Sequence, residues 1–153
     1  MCSSDLKGIA YWNTHAFNLS DQSHELNGRI NFRFAKDQRF PLQSFFDPSH
    51  VFLPNAAPFT KQTVCAKYVM PRGSRLFGLT SHNHKRGKRF WVTLPDGKQI
   101  FENTIYNDPN KVVFDPPLEF DDSDPAKRTL EYCALFNNGV ADDGSPEIGR
   151  AHV

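Results

Sequence analysis

Apolar and polar residues alternate strictly over residues 29–34, where Ile30, Phe32 and Phe34 follow polar neighbours. Successive side chains of a strand point to opposite faces, so this period of two indicates one buried and one solvated face. Other short apolar runs predict strands at residues 9–17, 51–53, 63–69, 75–84, 89–94, 99–104, 112–114 and 129–136. The pattern amounts to about eight or nine short strands and no convincing helix.

Turn-forming residues separate these runs. Pro95, Asp96 and Gly97 lie between two apolar runs and predict a hairpin. The stretch of Asp115, Pro116 and Pro117 and residues 121–125 are expected to be loops. Because each strand needs one buried face, the predicted fold is all-β, an antiparallel jelly-roll-like β-sandwich.

The composition changes this picture little. Fourteen Phe and eleven Pro among 153 residues suit strands joined by turns. A net charge of +1 gives no electrostatic reason to expect a nucleic acid or an acidic lipid as a partner. No apolar run approaches the roughly 20 residues that a membrane helix needs, so no membrane association is expected.

The candidate chemistry lies in His82 and His84. On a strand, these residues would project from the same face, about 7 Å apart, and two imidazoles at that separation can converge on one ion. Neutral imidazole suits copper or zinc. A His-x-His pair alone is also common on polar surfaces, and the neighbouring Lys85 and Arg86 would fit such a surface.

The order of the surrounding motifs adds to this signal. A strand with Cys65 precedes the apolar strand that leads to His82 and His84, and Gly87 follows them. The hairpin then comes before the motifs Tyr106-Asn107-Asp108-Pro109, Phe114-Asp115-Pro116-Pro117-Leu118 and Glu131-Tyr132-Cys133, with Asn137 and Asn138 after them. This succession resembles the C-terminal domain of the ascorbate-dependent type II copper monooxygenases, the family of peptidylglycine and dopamine hydroxylases. Upstream, residues 13–18 resemble the strand that closes the N-terminal domain of that family.

The resemblance implies a copper-dependent enzyme that hydroxylates a C–H bond with O₂ and ascorbate. His82 and His84 match the His-x-His of the oxygen-binding copper, and His15 matches one ligand of the electron-transfer copper. The third ligand of the first site is a Met thioether, to which no residue here corresponds. Met70 lies on the wrong side of the pair and is expected to be a turn or core residue.

Two alternatives remain for the function. Instead of an oxygenase, the chain could be a non-catalytic jelly-roll module that binds sugar or protein, or a copper-binding relative without oxygenase activity. For the enzyme, the resemblance implies a small-molecule or peptide substrate and a secreted or periplasmic location. Because the set of ligands is incomplete, this chain alone is expected not to turn over substrate.

The cysteines and the termini leave further questions. Cys65 and Cys133 could pair with each other, could have partners elsewhere, or could be two small buried residues. The resemblance implies that each has its partner outside this chain. Residues 1–6 and 147–153 look like non-native tails, with residues 7–20 as the closing strand of a missing domain and 21–146 as a truncated copper-binding domain.

Overall fold

A computed structural model describes residues 20–25, 27–29, 31, 45 and 56–147. The chain divides into two compact units, Met1–Gln43 and Ser44–Val153. In the first unit, the described residues are exposed and lie outside regular secondary structure, and the Ser20 hydroxyl donates to the carbonyl of Gln22 at 3.1 Å. His15 and the predicted strand 9–17 lie outside the described residues, as does the predicted strand 51–53. The predicted strand 29–34 is described only at Arg29 and Asn31.

The described part of the second unit consists of six strands and one turn of 3₁₀ helix. The strands are β1 (Lys61–Val69), β2 (Ser74–Thr80), β3 (Gly87–Thr93), β4 (Gln99–Asn103), β5 (Lys111–Phe120) and β6 (Thr129–Asn137), and the helix η1 is Pro125–Arg128. No helix among the described residues has the length and apolarity needed to cross a bilayer.

The strands form two antiparallel sheets. The larger sheet has the order β1-β6-β3-β4, and the smaller one pairs β2 with β5. The all-β class and the antiparallel pairing are therefore confirmed, whereas the jelly-roll connectivity stays a prediction. The predicted hairpin is also confirmed: β3 and β4 are joined by a turn in which the Leu94 amide donates to the Lys98 carbonyl at 2.9 Å, and Gly97 adopts a φ of 84°.

The core lies between the two sheets. In β1, Ala66 and Tyr68 face the core, while Cys65 and Lys67 point outward, as the period of two requires. The buried apolar residues come from both sheets and from the connections: Met70, Val92, Phe101, Phe120, Leu130 and Tyr132. The expectation that Met70 is a core residue is confirmed. Burying apolar faces of two sheets against each other is the arrangement of a β-sandwich.

The prediction of a loop at Asp115, Pro116 and Pro117 is wrong. These residues lie inside β5. The ladder between β2 and β5 shifts register there, between Leu76 and Gly78 of β2. A proline cannot donate to a ladder, but β5 has β2 as its only described ladder partner, and edge strands tolerate proline. The two prolines made the sequence pattern look like a loop. In the structure, the register shift accommodates them without ending the strand.

Candidate metal site

His82 and His84 follow the end of β2, so the prediction that a strand carries them is wrong. The last pair of the β2–β5 ladder is Thr80 with Lys111. Residues 81–84 nevertheless keep the alternation of a strand, because Ser81 and Asn83 are buried while both histidines are exposed. The two imidazoles therefore leave the chain on the same side, as the spacing predicted.

The two rings lie next to each other. Their centroids are 5.6 Å apart, with an angle of 83° between the ring planes. Two imidazoles that share one ion at metal–nitrogen distances of about 2.0–2.1 Å have centroids roughly 4.5–6 Å apart. The separation of the ring centroids therefore fits a shared ion, and imidazole is a ligand that copper accepts.

The donor set stops at these two side chains within the described residues. No group of three or more His, Cys, Asp and Glu side chains that could hold a metal occurs there. Met70 is buried in the core, and His24 is exposed in the other unit. The described residues would thus supply two imidazole ligands to a metal, and solvent would occupy the remaining coordination positions.

The local charge opposes tight cation binding. Lys85 is exposed and Arg86 is half-buried, directly after the pair. The Arg86 carbonyl accepts the amide of Asn137 at 2.9 Å, which ties this turn to the end of β6. Because like charges near a bound cation raise its free energy, we expect weak affinity for a divalent ion.

Gly87 makes room for Asn83. A Cβ atom at position 87 would lie 2.8 Å from the Cβ of Asn83, closer than such atoms approach each other. A turn closes at Gly87, whose amide donates to the His84 carbonyl at 2.8 Å. Glycine is needed at this position chiefly because a larger residue would collide with the buried Asn83 side chain.

Gly87→Ala is expected to disturb this packing. The added methyl group must displace Asn83, and overpacking of a close-packed interior costs about 1–3 kcal/mol. Denaturant unfolding should show this loss, whereas Lys88→Ala, at the exposed neighbouring position, should change stability by less than about 0.5 kcal/mol. Equal stability of both variants would mean that the segment yields to the methyl group.

A loop adjoins the segment that carries the histidines. It spans residues 104–110 and exposes Ile105 and Tyr106. The Thr80 hydroxyl donates to the carbonyl of Asn110 at 3.1 Å, and the Asn103 amide donates to the Ser81 hydroxyl at 2.9 Å. Both ends of the loop are therefore fastened where β2 gives way to the histidines.

Glu102 lies on the outer face of the larger sheet, opposite the core. Its carboxylate accepts hydrogen bonds from Gln99 and Arg89, which lower its pKa, and Arg89 also stacks over the ring of Trp91 at 4.5 Å. The carboxylate is thus already bound by two partners. We interpret Glu102 as part of a surface network, although it is only one residue before Asn103.

Cys65 and Cys133 form a disulfide across the ladder between β1 and β6, with their Cα atoms 4.1 Å apart. This is one of the alternatives that the sequence left open. The pairing implied by the resemblance, with partners outside the chain, is not the one found here. The bond lies on the face opposite the core, where Cys133 is also the ladder partner of Trp91 in β3.

The structure therefore brings together two of the three predicted metal ligands, His82 and His84, while His15 lies outside the described residues. Sequence reasoning missed the buried partners Ser81, Asn83 and Asn103. Ser81 and Asn83 could have been found from the sequence by extending the period of two beyond Thr80, the last residue of β2. Comparisons with protein-family models, with curated proteins and with solved structures find no match.

Proposed function

We propose that this chain binds one copper ion through His82 and His84 and is part of a monooxygenase that hydroxylates a C–H bond with O₂ and ascorbate. The observation that carries the proposal is the adjacency of the two exposed rings, with centroids 5.6 Å apart. The resemblance in motif order supplies the reaction. The substrate would be a small molecule or a peptide.

The copper would supply one-electron chemistry with O₂. The part played by this chain is to present two adjacent imidazoles and to leave other coordination positions open. His15 is the further candidate ligand, for a second copper. A secreted or periplasmic location is supported by the Cys65–Cys133 disulfide, because such bonds persist mainly in oxidising compartments.

The test is a Cu(II) titration of the full chain, followed by electron paramagnetic resonance. We expect coupling to two nitrogens in the unaltered protein. Loss of an outer-shell partner typically lowers metal affinity about 10–100-fold. His82→Ala and His84→Ala each remove a direct ligand, so each should lower the copper affinity by more than that. His24→Ala, which removes an exposed histidine from the other unit, is the matched control and should leave the spectrum unchanged.

Acidification gives a second arm of the same titration. Imidazole binds a metal only when it is neutral, so protons compete with copper and the affinity should fall as the solution is acidified. Nitrogen coupling that survives the double substitution of His82 and His84 would contradict the assignment and direct attention to His15. Absence of copper binding would favour the alternative, a non-catalytic binding module.

A further inference from the structure

We infer that Ser81 and Asn103 are positioning residues that hold the two imidazoles of His82 and His84 side by side. The inference rests on the proposed function, since it concerns how the same pair is prepared for a metal. It adds two residues that do not touch the ion and act through the backbone that carries the histidines.

The first step is the hydrogen bonding of Asn103. This residue ends β4, and only 5% of its surface is exposed. Its Nδ2 donates to Ser81 Oγ at 2.9 Å and to the carbonyl of Ile105 at 2.9 Å, and its Oδ1 accepts the amide of Ile105 at 3.3 Å. The side chain thus joins the start of the histidine segment to the larger sheet.

The second step is the position of this bond in the fold. Residues 81–84 lie between the last ladder pair of β2, at Thr80, and the first residue of β3, Gly87. The segment therefore takes its conformation from its side chains and its turn instead of from a strand ladder. Ser81 is held by Asn103, and the buried Asn83 fills the space left by the missing side chain of Gly87.

The third step links these anchors to the rings. In an extended segment, fixing residues 81 and 83 inward forces residues 82 and 84 outward on one side. If the anchor at Ser81 is lost, the segment samples other conformations, and binding one ion with both rings then carries an additional entropic cost. The hydroxyl of Ser81 should therefore affect copper affinity although it points away from the copper.

Ser81→Ala is the sharpest variant. It removes the acceptor from Asn103, whose Nδ2 keeps its bond to the Ile105 carbonyl, so no buried amide loses all its partners. Ser81→Thr keeps a hydroxyl and is the conservative rescue. Thr80→Val is the matched control, because it removes a side-chain hydrogen bond, to Asn110, from the adjacent exposed position.

The measurements are Cu(II) affinity, the number of coupled nitrogens, the thermal midpoint and, in the metal-free protein, the nuclear Overhauser contact between the two rings. Ser81→Ala should lower the affinity about 10-fold, the lower end for an outer-shell partner. It should also reduce the coupling towards one nitrogen and weaken the ring-to-ring contact. Thr80→Val should stay within about 2-fold of the unaltered affinity, and Ser81→Thr should recover most of the loss.

The possible outcomes separate a failure of the positioning inference from a failure of the proposed function. If the unaltered chain couples two nitrogens and Ser81→Ala matches it in affinity and ring contact, the positioning inference is overturned while the proposed function stands. A fall in affinity that merely follows a fall in thermal midpoint, with the ring contact intact, also overturns it. If copper does not bind through the pair, the proposed function fails, and the metal-free ring contact still tests whether Ser81 holds the two imidazoles together.

Discussion

Replacing Phe136 with alanine is expected to lower the free energy of unfolding by about 3–5 kcal/mol, the usual cost of truncating a buried aromatic side chain. Phe136 is 1% exposed and lies in β6, with Gln62 of β1 on one side and Gly87 of β3 on the other. The cavity can collapse only if two ladders move, so little of the loss should be recovered.

The control is Phe77→Ala, which removes the same group from an exposed position on β2. Because 41% of Phe77 is accessible, we expect a loss of less than about 1 kcal/mol. Urea unfolding followed by intrinsic fluorescence measures both. Equal losses for the two variants would show that β6 is not the tightly packed centre of the sheet.

Removing the disulfide with the double variant Cys65→Ala and Cys133→Ala is expected to cost about 2–4 kcal/mol. The two cysteines are separated by 68 residues, so the bond restricts a long loop of the unfolded chain. Alanine is preferred to serine because Cys133 is buried. Unfolding of the unaltered chain should show the same loss when a reductant is added.

The double variant should be insensitive to the reductant, which separates loss of the bond from damage to packing. A thiol titration of the denatured, unreduced chain provides an independent check. The chain has three cysteines, two of which form the bond, so one reactive thiol is expected. Three reactive thiols would contradict the pairing.

The strands of the larger sheet were predictable because their apolar positions repeat with a period of two. The run at residues 129–136 became β6, and the turn with Asp96 and Gly97 became the connection of the β3–β4 hairpin. Neighbouring residues are sufficient to predict both elements, because the two faces of a strand and the residues of a turn are determined within a few positions of the chain. Strand order was not predictable, because pairing of β1 with β6 joins segments that nothing in the sequence connects.

The candidate site was predictable in part for the same reason. The spacing of His82 and His84 placed both rings on one side, and this held even though β2 ends before them. The supporting contact of Ser81 with Asn103 spans 22 residues and depends on where β4 ends, which the pattern does not specify. The partner of Cys65 was likewise decided by tertiary structure.

The central place of β6 in the larger sheet has a consequence for synthesis. The last of the described strands, β6, inserts between β1 and β3, so this sheet cannot close until β6 has emerged. About 60 residues separate the end of β1 from the start of β6, which at about 5–20 residues per second corresponds to roughly 3–12 s on the ribosome. During that interval, β1 lacks the ladder partner it has in the described sheet, and the edge of β3 that later pairs with β6 is open, so another nascent chain could add a strand there. Pairing of segments as far apart in the chain as β1 and β6 slows folding. The aggregation hazard of this domain therefore lies in the time before Thr129–Asn137 is made.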